Sequence, residues 1–110
     1  MAISIPIFTS QLEKSREATD LANLRSTYAE CAADVLTVDT ASFTSSYKKV
    51  SPNQTTSGWA TSPVPDIGAV KGTAVPAMVK GTDVYMIVNA DGTASIGTSA
   101  PATGGHDVDA

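Results

Sequence analysis

Residues 1–37 have the composition of one long amphipathic helix, but the apolar stripe of that helix changes sides halfway along. At ~100° per residue, Ile5, Phe8 and Leu12 fall near roughly 80–140° of the helical wheel, whereas Leu21, Leu24, Tyr28, Cys31 and Val35 fall near roughly 220–300°. A helix buried against one core keeps one stripe, so this helix needs two partners. The later stripe, spaced 3,4,3,4, is expected to pack on the chain's own remainder. The earlier one has no obvious partner in the chain and is expected to be offered to other molecules.

A chain of 110 residues is one domain with room for one modest core. Once the helix is set aside, the rest is rich in Thr, Ser, Gly, Ala and Pro and can supply one small sheet. The formal charge is −4, and only seven Lys or Arg are spread along the chain. That distribution argues against a nucleic-acid surface, which needs clustered cations to replace phosphate counterions. The one basic pair, Lys48-Lys49, reads as a solvated strand edge. The single cysteine, Cys31, excludes an intramolecular disulfide and reads as a small buried hydrophobe within the second stripe. No apolar run is long enough to span a bilayer, and the opening stub Ala2-Ile-Ser-Ile-Pro-Ile-Phe8 lacks the charged front of a signal peptide.

Ser4 is a candidate N-cap, with Pro6 in the first turn, and Ser10-Gln-Leu-Glu13 is a capping box that could start the helix later. Glu13, Lys14, Arg16, Glu17 and Asp20 stand at i,i+3 and i,i+4 spacings that favour ion pairs on a solvated face. From Thr37 to Thr44, β-branched and short polar residues replace helix formers, so the helix should end near Leu36. Period-two alternation over 43–50 predicts a strand stopped by Ser51-Pro52-Asn53, and Trp59 sits in a possible second strand, 56–61. The two prolines of Ser62-Pro-Val-Pro-Asp-Ile-Gly68 exclude a central strand, leaving 62–82 as a long ordered loop. The strongest strand signal, 83–89 and 93–98, flanks Asp91-Gly92 and predicts a hairpin. The tail, 99–110, has little to bury and is expected to be mobile.

The expected fold is therefore α+β: residues 1–37 as a helix laid across a three- or four-stranded antiparallel sheet drawn from 38–98. The candidate core is Leu21, Leu24, Tyr28, Val35, Tyr47, Trp59, Tyr85, Ile87 and Ile96. No phosphate loop, Cys-x-x-Cys or His-Glu-x-x-His motif is present, and Asn89-Ala-Asp-Gly-Thr93 lacks the later glutamate of an EF-hand loop. His106, Asp107 and Asp109 lie in the tail, where solvation is the simpler use. The residues point to no enzyme, no cofactor and no metal.

Ala2-Ile-Ser-Ile-Pro-Ile-Phe8, running into Gln11-Leu-Glu-Lys-Ser-Arg-Glu-Ala-Thr-Asp-Leu-Ala-Asn-Leu-Arg-Ser-Thr-Tyr28, resembles the N-terminal helix of type IV pilins. In that family an Ala-Ile-Ala-Ile-Pro stretch ends the hydrophobic half of the helix. The remainder is similar to the small, cysteine-poor pilin-like proteins of Gram-positive bacteria. The resemblance implies a helix whose hydrophobic half forms a filament core and whose other half packs on a small antiparallel sheet. It implies self-assembly at the cell surface through the helix, with help from a pilus assembly machinery and its membrane platform. The family's processing site, early glutamate and first apolar stretch have no counterpart here, so Met1-Ala2 reads as an engineered start of a soluble truncated form that would not assemble alone.

On that basis Ile5, Pro6, Phe8 and Leu12 are expected to carry helix–helix contact, and Glu13, Lys14, Arg16 and Glu17 to adjust register by charge. The alternatives are a pseudopilin of a type II secretion or competence machine, in which Asp107 and Asp109 would be candidates for calcium, and an extracellular adhesin-like module using Trp59 and Tyr47. The residues do not decide between adhesion, motility, secretion and DNA uptake.

Overall fold

The structure is a computed structural model that describes residues 5–39, 41–55, 58–59 and 63–109, with residues 5–11 described by their backbone alone. Helix α1 spans Ile5–Val35 and is followed by strands β1 (Ser45–Val50), β2 (Val84–Asn89), β3 (Ala94–Gly97) and β4 (Gly105–Asp107). At ~1.5 Å per residue α1 is about 46 Å long, more than twice the length of the longest strand beneath it. It ends within a residue of the expected position. It also runs unbroken through Ser10, so the later capping-box start is not used. The alternative cap, Ser4, lies outside the described residues.

The four strands form one sheet in the order β3-β2-β1-β4. β1–β2 and β2–β3 are antiparallel, but β4 runs parallel to β1, pairing Ser45 with Gly105 and Tyr47 with Asp107. The sheet is thus mixed rather than purely antiparallel, and the expectation of a free tail is corrected at 105–107. Residues 98–104 carry the chain back from one edge of the sheet to the other, a crossover that a parallel strand requires. Pairing with β4 also makes β1 an inner strand, so Lys48 and Lys49 do not lie on a simple solvated edge. Lys48 pairs with Glu30 of the helix and with Asp109, and Lys49 pairs with Asp83.

The expected hairpin is present. Asn89 N–H donates to Thr93 O, Gly92 takes φ +94°, and the Asp91 carboxylate accepts from the Thr93 amide and hydroxyl. Those bonds, the hydroxyl's first, hold the Asp91 carboxyl below its ordinary value. The phase of β2, however, is opposite to expectation. Val84, Met86 and Val88 face the helix and are buried, while Tyr85 and Ile87 share the outer face with Tyr47 and are only partly covered. Both phases of this strand are apolar, so alternation alone could not choose. The side chains with polar ends, Tyr85 and Asn89, take the outer face, and Tyr85 lies 6.1 Å from Tyr47 between ring centroids.

The core joins Leu21, Leu24, Cys31 and Val35 of the helix to Val50 and the inner face of β2, with Tyr28, Trp59 and Ile96 packed at its margin. Much of the remainder comes from the ordered loop 63–82, which buries Ile67, Val70, Val75 and Met78. Residues 58–59 are not in a strand, and most of the proposed 56–61 strand lies outside the described residues. The Trp59 indole N–H donates to Pro76 O at 2.9 Å, tying that loop to the end of the core.

Candidate functional site

The inward face of α1 is longer than its apolar residues suggest. Its buried positions are Glu17, Asp20, Leu21, Leu24, Thr27, Cys31 and Val35, a single face that, apart from the adjacent pair Asp20-Leu21, advances by three or four residues and turns acidic toward the N-terminus. Glu13, one turn earlier, extends it with a side chain only 15% exposed. The stripe seen from apolar residues alone therefore begins at Leu21, while the stripe that meets the protein begins two turns before it.

The acidic part docks the segment after β1. Asp20 is fully buried and accepts from the backbone N–H of Asn53 (2.9 Å) and Gln54 (3.2 Å) and from both side-chain amides (3.0 Å each). Glu13 accepts from the Thr55 amide at 3.0 Å and hydroxyl at 2.8 Å, and Arg16 bridges Glu13 and Thr55. A loop with no ladder partners needs acceptors for its N–H groups, and here carboxylates supply them. Glu13 and Glu17, proposed from the sequence as inter-subunit charges, are thus engaged within the chain, and Glu17 is only 1% exposed. Neither can serve as a solvated register charge.

A second cluster joins the other end of α1 to β4. Asp34 Oδ2 accepts from Ser46 Oγ and from His106 Nδ1, each at 2.6 Å, while Phe43 packs edge-on against the imidazole at 4.9 Å. Ser46 and His106 share one carboxylate oxygen. The serine hydroxyl donates to the aspartate rather than to the histidine, so this is a clamp and not a nucleophile–base relay. The Ser46 bond, then His106, holds the Asp34 carboxyl below its ordinary value against the opposing effect of burial. A carboxyl lowered in the folded state contributes stability that is complete above its unfolded value and is lost as pH falls through the folded one. The stability difference between wild type and Asp34→Asn is expected to hold down to about pH 4 and to shrink below it. Urea midpoints between pH 6 and 2 would measure this, and a difference that stays constant across that range would rule the clamp out as an acid-sensitive element.

The remaining candidates lie at the helix N-terminus. Ile5, Pro6 and Phe8 are within the helical backbone, and their side chains lie outside what the structure describes. Leu12 is 40% exposed, Lys14 is exposed and Arg16 is partly exposed. Cys31 is buried against Met86 O. Burial, then Asp34 and Glu30, pushes its thiol up to about 12, which leaves it inert.

No family model, curated protein or solved structure matches the chain.

Among the described residues no group of three or more His, Cys, Asp or Glu side chains is placed to share a metal ion, so Asp107 and Asp109 do not form such a group there. Asp107 instead caps the turn to Asp109, and Asp109 faces Lys48. No helix among the described residues is long and apolar enough to cross a membrane.

Proposed function

We propose that this chain is a structural subunit of a type IV pilus-like surface filament, assembled through the N-terminal part of α1. The observation that carries the reading is the division of labour along the helix. From Glu13 to Val35 its inward stripe is taken up by the chain's own loop and sheet, whereas Leu12 stands exposed at the start of that stretch and the helical backbone continues back to Ile5. The apolar pattern of Ile5, Phe8 and Leu12, together with the pilin-like sequence around it, assigns this segment to other copies. Burial of apolar side chains at ~25 cal/mol per Å² then drives the helices together. The sheet and loop 63–82 face outward and fix subunit contacts, and Lys14 with the exposed part of Arg16 remains to adjust register.

Cysteines at Phe8 and Leu12 test this in the source cell, with the chain carrying a pilin-type hydrophobic segment ahead of Ala2. Arg25, exposed on α1 but off that stripe, serves as the control position. Buried Cys31 stays silent. Oxidised surface filaments, sheared and run on a denaturing gel, are expected to give a ladder from positions 8 and 12 and none from 25. Absence of both ladder and filaments would leave a monomeric binding module as the better account.

A further inference from the structure

The two edges of the sheet are built differently. The β4 edge is three residues long, carries Asp107, is followed by Asp109, and is pinned through His106 to Asp34. The β3 edge carries no such protection, since no residue from Gly92 to Gly105 is charged and Pro101 lies beyond the strand. Native edges are ordinarily guarded by charge, proline or a bulge against pairing with another chain.

The pairing pattern shows which groups that edge offers. Ala90 N–H bonds to Thr44 O on the β1 side, and Asn89 N–H bonds to Thr93 O on the β3 side. In an antiparallel ladder such bonds alternate, so Ile87 and Tyr85 bond to Ser95 and Gly97. The backbone N–H and C=O of Ala94 and Ile96 therefore point away from β2, and among the described residues no strand lies beyond them. Ile96 faces the core, opposite Met86, yet is left half-buried at this margin.

We propose that the β3 edge pairs antiparallel with β3 of a second copy of this chain about a twofold axis at Ile96. That register sets Ile96 against Ile96 of the second copy and Ala94 against Thr98. The outward backbone groups are satisfied, and both isoleucines are covered. A second copy suits this edge because the two strands, uncharged from Gly92 to Gly105, meet in this register with no like-charge contact, so the pairing adds no local repulsion to that between two chains of charge −4. Asp91, the nearest acid, falls opposite Pro101 rather than opposite another acid. The guarded β4 edge cannot repeat the contact, so the pairing closes at a dimer. Two four-residue strands bury little, which makes the dimer weak and concentration-dependent. The contact is independent of the filament reading, because subunits of a polar filament are related by a screw and not by a twofold.

Sedimentation equilibrium over a wide concentration range, with amide exchange on the same samples, tests the pairing. The average mass is expected to rise toward the dimer while the Ala94 and Ile96 amides gain protection. Ser95→Lys guards the edge from an exposed position and is expected to weaken dimerisation about tenfold. Thr103→Lys, with the same charge change on an exposed residue outside β3, is expected to leave it unchanged. A monomer at every concentration would overturn the proposal and leave the edge to a different partner's strand. A dimer that ignores Ser95→Lys, or one that weakens equally with Thr103→Lys, would overturn it as well.

Discussion

Asp20→Ala is expected to destabilise the protein by about 3 kcal/mol, because it strands the donors of Asn53 and of buried Gln54, which have no other acceptor among the described residues. Asn53 and Gln54 each direct a backbone and a side-chain amide at this one carboxylate, and Asp20 and Gln54 are both fully buried. Truncation removes an acceptor that has no solvent exposure of its own. Urea unfolding followed by Trp59 fluorescence would measure the loss, and hydrogen exchange would locate it. The amides of residues 53–55 should lose protection before those of β2 do. The consequence reaches further than the loop, since Lys80 N–H donates to Gln54 O and so ties the far end of loop 63–82 to the same segment. A cost below about 1 kcal/mol would mean that the segment is held mainly by other contacts.

That prediction concerns a residue whose role was hidden in the sequence, and the reason is physical. Asp20, Glu17 and Glu13 continue the inward stripe of Leu24 and Leu21, but a periodicity search weighted by hydrophobicity sees the stripe stop where its members become charged. Their neighbours Lys14 and Arg16 complete the appearance of a solvated, ion-paired face. A carboxylate that holds backbone amides of a distant loop leaves no local mark, because its partners lie more than thirty residues away. The helix end and the Asp91-Gly92 hairpin were legible because each depends on residues within one turn of itself. β2 was legible as a strand but not in phase, since Val84, Met86 and Val88 compete with Tyr85 and Ile87 on nearly equal terms. β4 was not legible at all. A three-residue strand that follows Gly104 and opens on Gly105 has no periodicity, and what places it is a histidine reaching Asp34, 72 residues earlier.

Gly68→Ala is expected to cost about 3 kcal/mol from two separable causes. Gly68 takes φ +57°, where an L side chain costs ~1–2 kcal/mol. Its added Cβ would also stand 2.4 Å from two carbons of the Tyr28 ring, an overlap that a packed site relieves at ~1–3 kcal/mol. The ring packs at the margin of the core, so stepping aside would give up part of that contact. The turn it covers is closed by reciprocal bonds between Ile67 and Val70, 2.8 Å each way, and both of those residues are buried in the core. A double-mutant cycle separates the causes. In a Tyr28→Ser background, Gly68→Ala should cost only the backbone part, about 1 kcal/mol, so the two changes should couple by about 2 kcal/mol. Equal costs in both backgrounds would show that Tyr28 yields freely and that the ring does not set the spacing between α1 and the loop. The predicted coupling makes this turn a third fastening of the helix, midway between Asp20 and Asp34. With all three in place the inward face of α1 is held to the chain's own loop and sheet from Glu13 to Val35.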